Sequence, residues 1–239
     1  MFRSRLLATF SCALLMVTTA LFAESIVTDR PDFTESTDTI PTHYRVQIEG
    51  GYTYSSEDTA KTHTIGEILC RVPLNASIEL RIGFPSFITQ EGTSGLSDAN
   101  LGAKFHLADA KGWIPNLAVI AMTSIPLNDP NFGDHDLQPL AKLCFGWDLN
   151  DTTSLSGNLN VGQTAFSLSL GQSWTNQTQT FMETYVLAPS SKNGPSAWVF
   201  NGGVTYLFTP DFQGDIRIGK DIQSPTGDYF VGIGSAVRI

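Results

Sequence analysis

The chain has 239 residues, with 21 glycines and 12 prolines, 41% hydrophobic content and a formal charge of −9. Turn residues are scattered evenly, which gives no sign of a second domain, and the acidic balance argues against nucleic acid as a partner. No stretch beyond the leader approaches 18 apolar residues, so an exported chain of this composition is either soluble or crosses a membrane as strands.

Residues 1–23 carry Arg3 and Arg5, a mostly apolar Leu6–Phe22, and small residues at Thr18/Ala20 or at Ala23 where a signal peptidase would cut. This is the pattern of a secretory signal. A transmembrane anchor is the rival reading, but Ser11, Cys12, Thr18 and Thr19 interrupt a run already short for a span of ~20 residues. Loss of a leader with two arginines and no acid takes the charge to about −11.

Residues 24–43 form an N-terminal segment built around Thr28-Asp29-Arg30-Pro31-Asp32-Phe33-Thr34-Glu35-Ser36. One arginine stands among three carboxylates (Asp29, Asp32, Glu35), Pro31 breaks any helix, and no apolar period runs through the stretch. It reads as a preformed polar plug at the periplasmic rim, with Arg30 expected to pair with a luminal carboxylate. The alternative is a solvated, disordered tail.

From residue 44 to 239 the chain alternates apolar and polar with period two, and predicts twelve strands. Tyr44–Tyr54 sets Tyr44, Val46, Ile48, Tyr52 and Tyr54 against Arg45, Gln47 and Glu49; His63–Val72 sets Ile68, Cys70 and Val72 against His63, Glu67 and Arg71. Ser77–Phe84 opposes Ile78, Leu80 and Ile82 to Glu79 and Arg81, and Ser97–Leu107 opposes Leu101, Phe105 and Leu107 to Asp98 and Lys104. Leu117–Ile125 is apolar on both faces. Gln138–Leu149 follows, and then Thr153–Gly162 and Thr164–Trp174, whose second faces are almost entirely Ser, Asn and Gly, which a packed soluble core would not tolerate. Thr178–Leu187 is ambiguous, because Glu183 shares its parity with Phe181 and Tyr185. Ala197–Phe208, Phe212–Gly219 (Asp215 and Arg217 on the polar side) and Tyr229–Ile239 complete the set.

Short connections alternate with longer ones at Ser55–Thr62, Pro85–Leu96, Pro126–Leu137, Ala188–Ser196 and Lys220–Gly227. Aromatic residues fall at strand ends: Tyr44, Phe105, Trp147, Trp174, Phe208 and Phe212 near the short-turn rim, Tyr52, Tyr54, Phe84, Trp198 and Tyr229 near the other. Rim asymmetry, aromatic girdles and an even strand number together predict an all-β, closed, antiparallel up-and-down transmembrane barrel of about twelve strands. Its partners would be the lipid bilayer of a bacterial outer membrane, the barrel-assembly machinery and a small-molecule solute. A soluble periplasmic ligand-binding barrel uses the same period with the apolar face inside.

If the apolar face meets lipid, Arg45, Glu49, Glu67, Arg71, Glu79, Arg81, Asp98 and Lys104 project into the lumen, and Asp215 and Arg217 join them from the eleventh strand, which lies near the first in a closed barrel. A turn near Asn75 is expected to set Arg71 directly across from Glu79. This charged sector is either a constriction that selects solutes or a salt-bridge network that fills the barrel. Asp129, Asp134, His135 and Asp136 fit no calcium-loop spacing and read as an acidic surface loop, so no metal is expected. His43, His63 and His106 lie apart and no serine sits in a nucleophile motif, so neither catalysis nor a cofactor is expected. Cys70 and Cys144 have opposite parity and are expected to be free thiols.

The Thr28–Ser36 run, followed by Gln47-Ile48-Glu49-Gly50-Gly51-Tyr52-Thr53-Tyr54, Glu79-Leu80-Arg81-Ile82-Gly83, Gly95-Leu96-Ser97-Asp98 and Asp228-Tyr229-Phe230-Val231-Gly232, resembles the family named after the MetA pathway of phenol degradation. The resemblance covers the whole mature chain. It implies an outer-membrane barrel for passage of small, including aromatic, molecules. The chain departs from outer-membrane barrels in ending Val237-Arg238-Ile239, where an aromatic residue is usual. Passive passage of solutes is thus the expected function, with a non-conducting structural or surface-binding barrel as the alternative.

Overall fold

The computed structural model describes residues 25–161, 164–187 and 196–239. The expected signal sequence, the stretch near Gln163 between Thr153–Gly162 and Thr164–Trp174 where the sequence predicts a tight link, and most of the Ala188–Ser196 connection lie outside them.

Among the described residues fourteen strands run in chain order: β1 (Gln47–Glu57), β2 (Ala60–Asn75), β3 (Ile78–Gly83), β4 (Phe87–Gln90), β5 (Thr93–Leu96), β6 (Ala99–Ala108), β7 (Asn116–Ile125), β8 (Pro139–Asn150), β9 (Thr153–Val161), β10 (Thr164–Ser173), β11 (Thr178–Leu187), β12 (Ala197–Thr209), β13 (Phe212–Asp221) and β14 (Tyr229–Arg238). β3 and β4 form one stave, interrupted at Phe84–Ser86 where Pro85 has no N–H to give a ladder; β5 and β6 form the next. The staves therefore number twelve. Each pairs antiparallel with its neighbour, and β1 joins both β2 and β14, so the sheet closes.

The two faces are inverted relative to a soluble protein. Ile216 and Ile218 are 55% and 61% exposed, whereas Asp215 between their neighbours is 5% exposed and Glu49, Glu79 and Lys104 are fully buried. The apolar face is the outer wall, as a lipid-facing barrel requires and a soluble barrel forbids. Ring contacts band both ends: Tyr206 meets Phe208 edge-on and Phe208 stacks on Phe212 near the short turns, while Tyr54 meets Tyr229 and His63 near the other rim.

Two expected loops are strand. β1 and β2 run on to a turn at Asp58–Thr59, and β4–β5 is a tight hairpin turning at Glu91 and Gly92, both with positive φ. Residues 55–62 and 87–96 lost their alternation in the sequence because a sheet that rises above the bilayer is wet on both faces. A bulge shifts the β1–β2 register between Glu49 and Gly51, with Gly66 and Glu67 at φ 107° and 45°. Side chains change wall across it, so His63, expected beside Glu67 and Arg71, is on the outer wall with its Nδ1 2.7 Å from the Tyr52 hydroxyl.

Candidate functional site

The N-terminal segment folds into the lumen and returns. Ile26 starts it at the short-turn rim, donating its N–H to Pro210 O and packing against Leu207 and Ala236. The chain goes inward to Pro31–Thr34 and comes back out at Thr39, whose hydroxyl donates to Ala76 O in the β2–β3 turn. With no sheet partner of its own, this backbone needs side chains to satisfy it, and the wall supplies them. Glu49 accepts the Asp29 N–H, Glu183 accepts those of Phe33 and Thr34, and Glu79 accepts that of Ile40. Gln47 and Arg71 donate to Val27 O, and Arg217 donates to Pro31 O.

Charges do the rest. Asp29 lies 3.4 Å from Arg71 Nη1, 2.5 Å from Arg81 Nη1 and 3.0 Å from Lys104 Nζ. Glu35 bridges Arg81 at 2.6 Å and Lys142 at 3.0 Å, and Arg30 reaches Glu67 at 3.0 Å and Asp215 at 3.5 Å. Burial raises the cost of an ionised Asp29, but the three cations around it outweigh that and hold its carboxyl well below the usual carboxylate value. Asp32, on the same segment outside the strands, goes the other way: burial and the neighbouring Glu183 push it well above that value.

The segment leaves part of the lumen unfilled. Facing β9–β11 it leaves two adjoining cavities of about 260 and 230 Å³ that share Asp32, Ser154 and Ser156 in their walls. A third, of about 240 Å³, opens near the long-loop rim between Tyr185, Tyr229 and Phe230. Deeper in, Phe33 stacks on Tyr185 with ring centroids 4.4 Å apart.

The family described as "Putative MetA-pathway of phenol degradation" matches residues 28–239, beginning at the inserted segment and ending with the last strand. The chain belongs to this family. No curated protein matches it. Among solved structures, it is similar to an outer-membrane channel from Pseudomonas putida F1, with a TM-score of 0.62, 13% identity, and 85% of this chain and 98% of that one covered. It is also similar to the NanC porin (TM-score 0.56, 9% identity, 81% and 100% covered) and the KdgM porin (0.51, 9%, 80% and 98%). Likeness at such identities carries the fold, that of an outer-membrane barrel.

In this member of the phenol-degradation family the residues singled out from the sequence separate into two groups. Eleven of them meet in the lumen as two ion-pair clusters, Arg30 with Glu67, Asp215 and Arg217, and Asp29 and Glu35 with Glu49, Arg71, Glu79, Arg81 and Lys104. Arg45 does not join them: it is exposed, ahead of β1, with its N–H given to Ile239 O. Nor does Asp98, which receives the N–H groups of Leu127 and Asp134 and so fastens the β7–β8 loop. Asp129 in that loop likewise accepts from the backbone of Leu96, Asn131 and Phe132. Arg71 faces Arg81 in the ladder, not Glu79, because a register shift between Pro73 and Asn75 precedes a two-residue turn; its long side chain still reaches Glu79 Oε1 at 2.8 Å on the diagonal. Cys70 and Cys144 are free thiols, Cys144 buried beside Ala118 and Ile120.

Three participants escaped the sequence reading. Glu183 is buried with Phe181 and Tyr185 on the luminal face of β11, and anchors the tip of the segment. Its aromatic companions were the signal, since only a lumen filled by a segment puts rings and a carboxylate on one side. Lys142 stood on the polar parity of β8. Asp38 stood just beyond the acidic run, and its carbonyl accepts from Arg71 and Lys104.

Proposed function

We propose that the protein is an outer-membrane channel for the passive passage of small molecules, exported by the signal sequence in residues 1–23 and inserted by the barrel-assembly machinery. The observation that carries this reading is the incomplete filling of the lumen. The segment is bonded into the charged walls of β1–β3, β6, β8, β11 and β13 and touches β10 at Ser167 and Ser169, yet beside Ser154 and Ser156 of β9 it leaves open space. A barrel stabilised only for structural purposes has no use for a strip of small hydroxyl side chains, whereas a permeation path needs polar groups and little bulk. The three similar structures named as channel or porins give the reading further support. Aromatic solutes are among those admitted: the family description ties its members to phenol degradation, and the cavity near the long-loop rim is lined by Tyr185, Tyr229 and Phe230.

The test is reconstitution of the mature chain in planar bilayers together with solute uptake into liposomes. Stepwise current and uptake are expected; no current at any voltage combined with no uptake would leave the non-conducting, surface-binding barrel as the correct reading.

A further inference from the structure

The sign of the charge along the opening has not been balanced by the wall. Ten wall charges bond to the segment. Five are cations (Arg71, Arg81, Lys104, Lys142, Arg217) and five are carboxylates (Glu49, Glu67, Glu79, Glu183, Asp215), so the wall is neutral where it holds the segment. The segment itself brings Asp29, Asp32, Glu35 and Asp38 against Arg30, a surplus of three negative charges. Asp29 and Glu35 spend theirs on Arg71, Arg81, Lys104 and Lys142. Asp32 and Asp38 do not: among the described residues neither has a cation within ion-pair distance, and Asp32 is held by its own backbone N–H and by Ser169 Oγ at 3.4 Å. Both line the larger cavity, where Asp148 is the further charge, and Asp32 lies on the boundary with the second, which Arg30 also lines while its guanidinium is paired with Glu67 and Asp215.

We infer that this opening passes cations in preference to anions, inorganic and small organic ammonium ions alike, with Asp32 as the residue that sets the preference. The inference rests on the channel reading. In a narrow space with low-dielectric walls an uncompensated carboxylate concentrates counter-ions and repels co-ions, and its field is screened far less than at an open surface. The cavity at the other mouth has the same sign, being lined by Glu57, Asp221 and Asp228 beside Tyr185, Tyr229 and Phe230, rings whose faces also favour cations.

The test is the zero-current potential of the reconstituted mature chain across a potassium chloride gradient. The expected result is a several-fold permeability ratio for potassium over chloride, cut by at least half in Asp32→Asn and unchanged in Asp151→Asn, which alters an exposed turn. The cut in Asp32→Asn should come with no loss of unit conductance or of heat-modifiable migration, which separates a selectivity role from a folding role. A wild-type channel that conducts without cation preference, or an Asp32→Asn channel with the wild-type ratio, would overturn the inference and leave the channel intact. Absence of any current would overturn both.

Discussion

Gly51 and Gly234 are paired across the seam between β1 and β14, and the guanidinium of Arg30 lies on the flat patch that they leave. A Cβ on either glycine would run into Arg30 Nη2; at Gly51 it would also stand 2.7 Å from Ile233 O, while at Gly234 the three nearest atoms all belong to the arginine. Gly234→Ala is therefore the cleaner substitution. It should push Arg30 off Glu67 and Asp215 and leave those carboxylates short of a partner, at a cost of about 3 kcal/mol. The urea midpoint of the detergent-solubilised barrel measures it. Introduced on top of Arg30→Met, the same change should cost well under ~1 kcal/mol, because the group that it displaces is gone.

Asp29 and Asp32 are three residues apart and should respond oppositely to the same substitution. Asp29→Asn removes the shared partner of Arg71, Arg81 and Lys104, all of them buried, and is expected to destabilise by roughly 3–5 kcal/mol. Asp32→Asn removes a charge that burial and Glu183 disfavour, keeps a polar group beside Ser169, and should leave stability unchanged or raise it. Equal losses in denaturant unfolding would mean that the two carboxylates play the same part.

The same pair sets the pH response. Asp29 has its folded value below the usual 3.8, so its stabilisation is complete above that value and is lost only as the pH falls through the lower, folded one. Asp32 has its folded value above 3.8; the groups facing it are Glu183 of the wall, Asp29 of its own segment and the Ser169 hydroxyl. Its contribution is fully unfavourable once the pH exceeds that raised value, and fades as the pH drops through it. As the pH falls through that raised value the barrel should therefore gain stability and lose cation preference, and Asp32→Asn should flatten both trends.

Much of this was legible in the chain because a barrel wall obeys a period of two. Parity alone put Glu49, Arg71, Glu79, Arg81, Lys104, Asp215 and Arg217 on one face, and the crowd of acids around Arg30 marked the segment that would meet them. Parity fails where the sheet slips: the bulge at Gly66 and Glu67 exchanges the walls for His63, and no local pattern announces it. It also fails where the lumen is itself packed. Ala118, Ile120 and Cys144 face inward against the segment, so β7 shows apolar residues on both sides, and Glu183 is masked by Phe181 and Tyr185 for the same reason. The hairpin ends beyond the bilayer carry no alternation because neither of their faces meets lipid.

Removal of residues 25–40 tests how the segment and the wall share the work. Without it the wall keeps five cations and five carboxylates that bonded to the segment, and some still pair among themselves: Arg71 with Glu49 at 2.9 Å and with Glu79 at 2.8 Å, Arg217 with Glu67 at 3.5 Å. Lys104 and Lys142 lose the carboxylates that neutralise them, and Glu183 loses three donors, so water must enter to solvate them. The truncated barrel should migrate as a folded, heat-modifiable species with a lowered urea midpoint. Its unit conductance should rise several-fold as the lumen empties, and its cation preference should fall to the part that Glu57, Asp221 and Asp228 keep at the other mouth, because the surplus negative charge of the segment is gone. Unchanged conductance would place the permeation path elsewhere in the barrel, and unchanged selectivity would assign the charge filter to the wall.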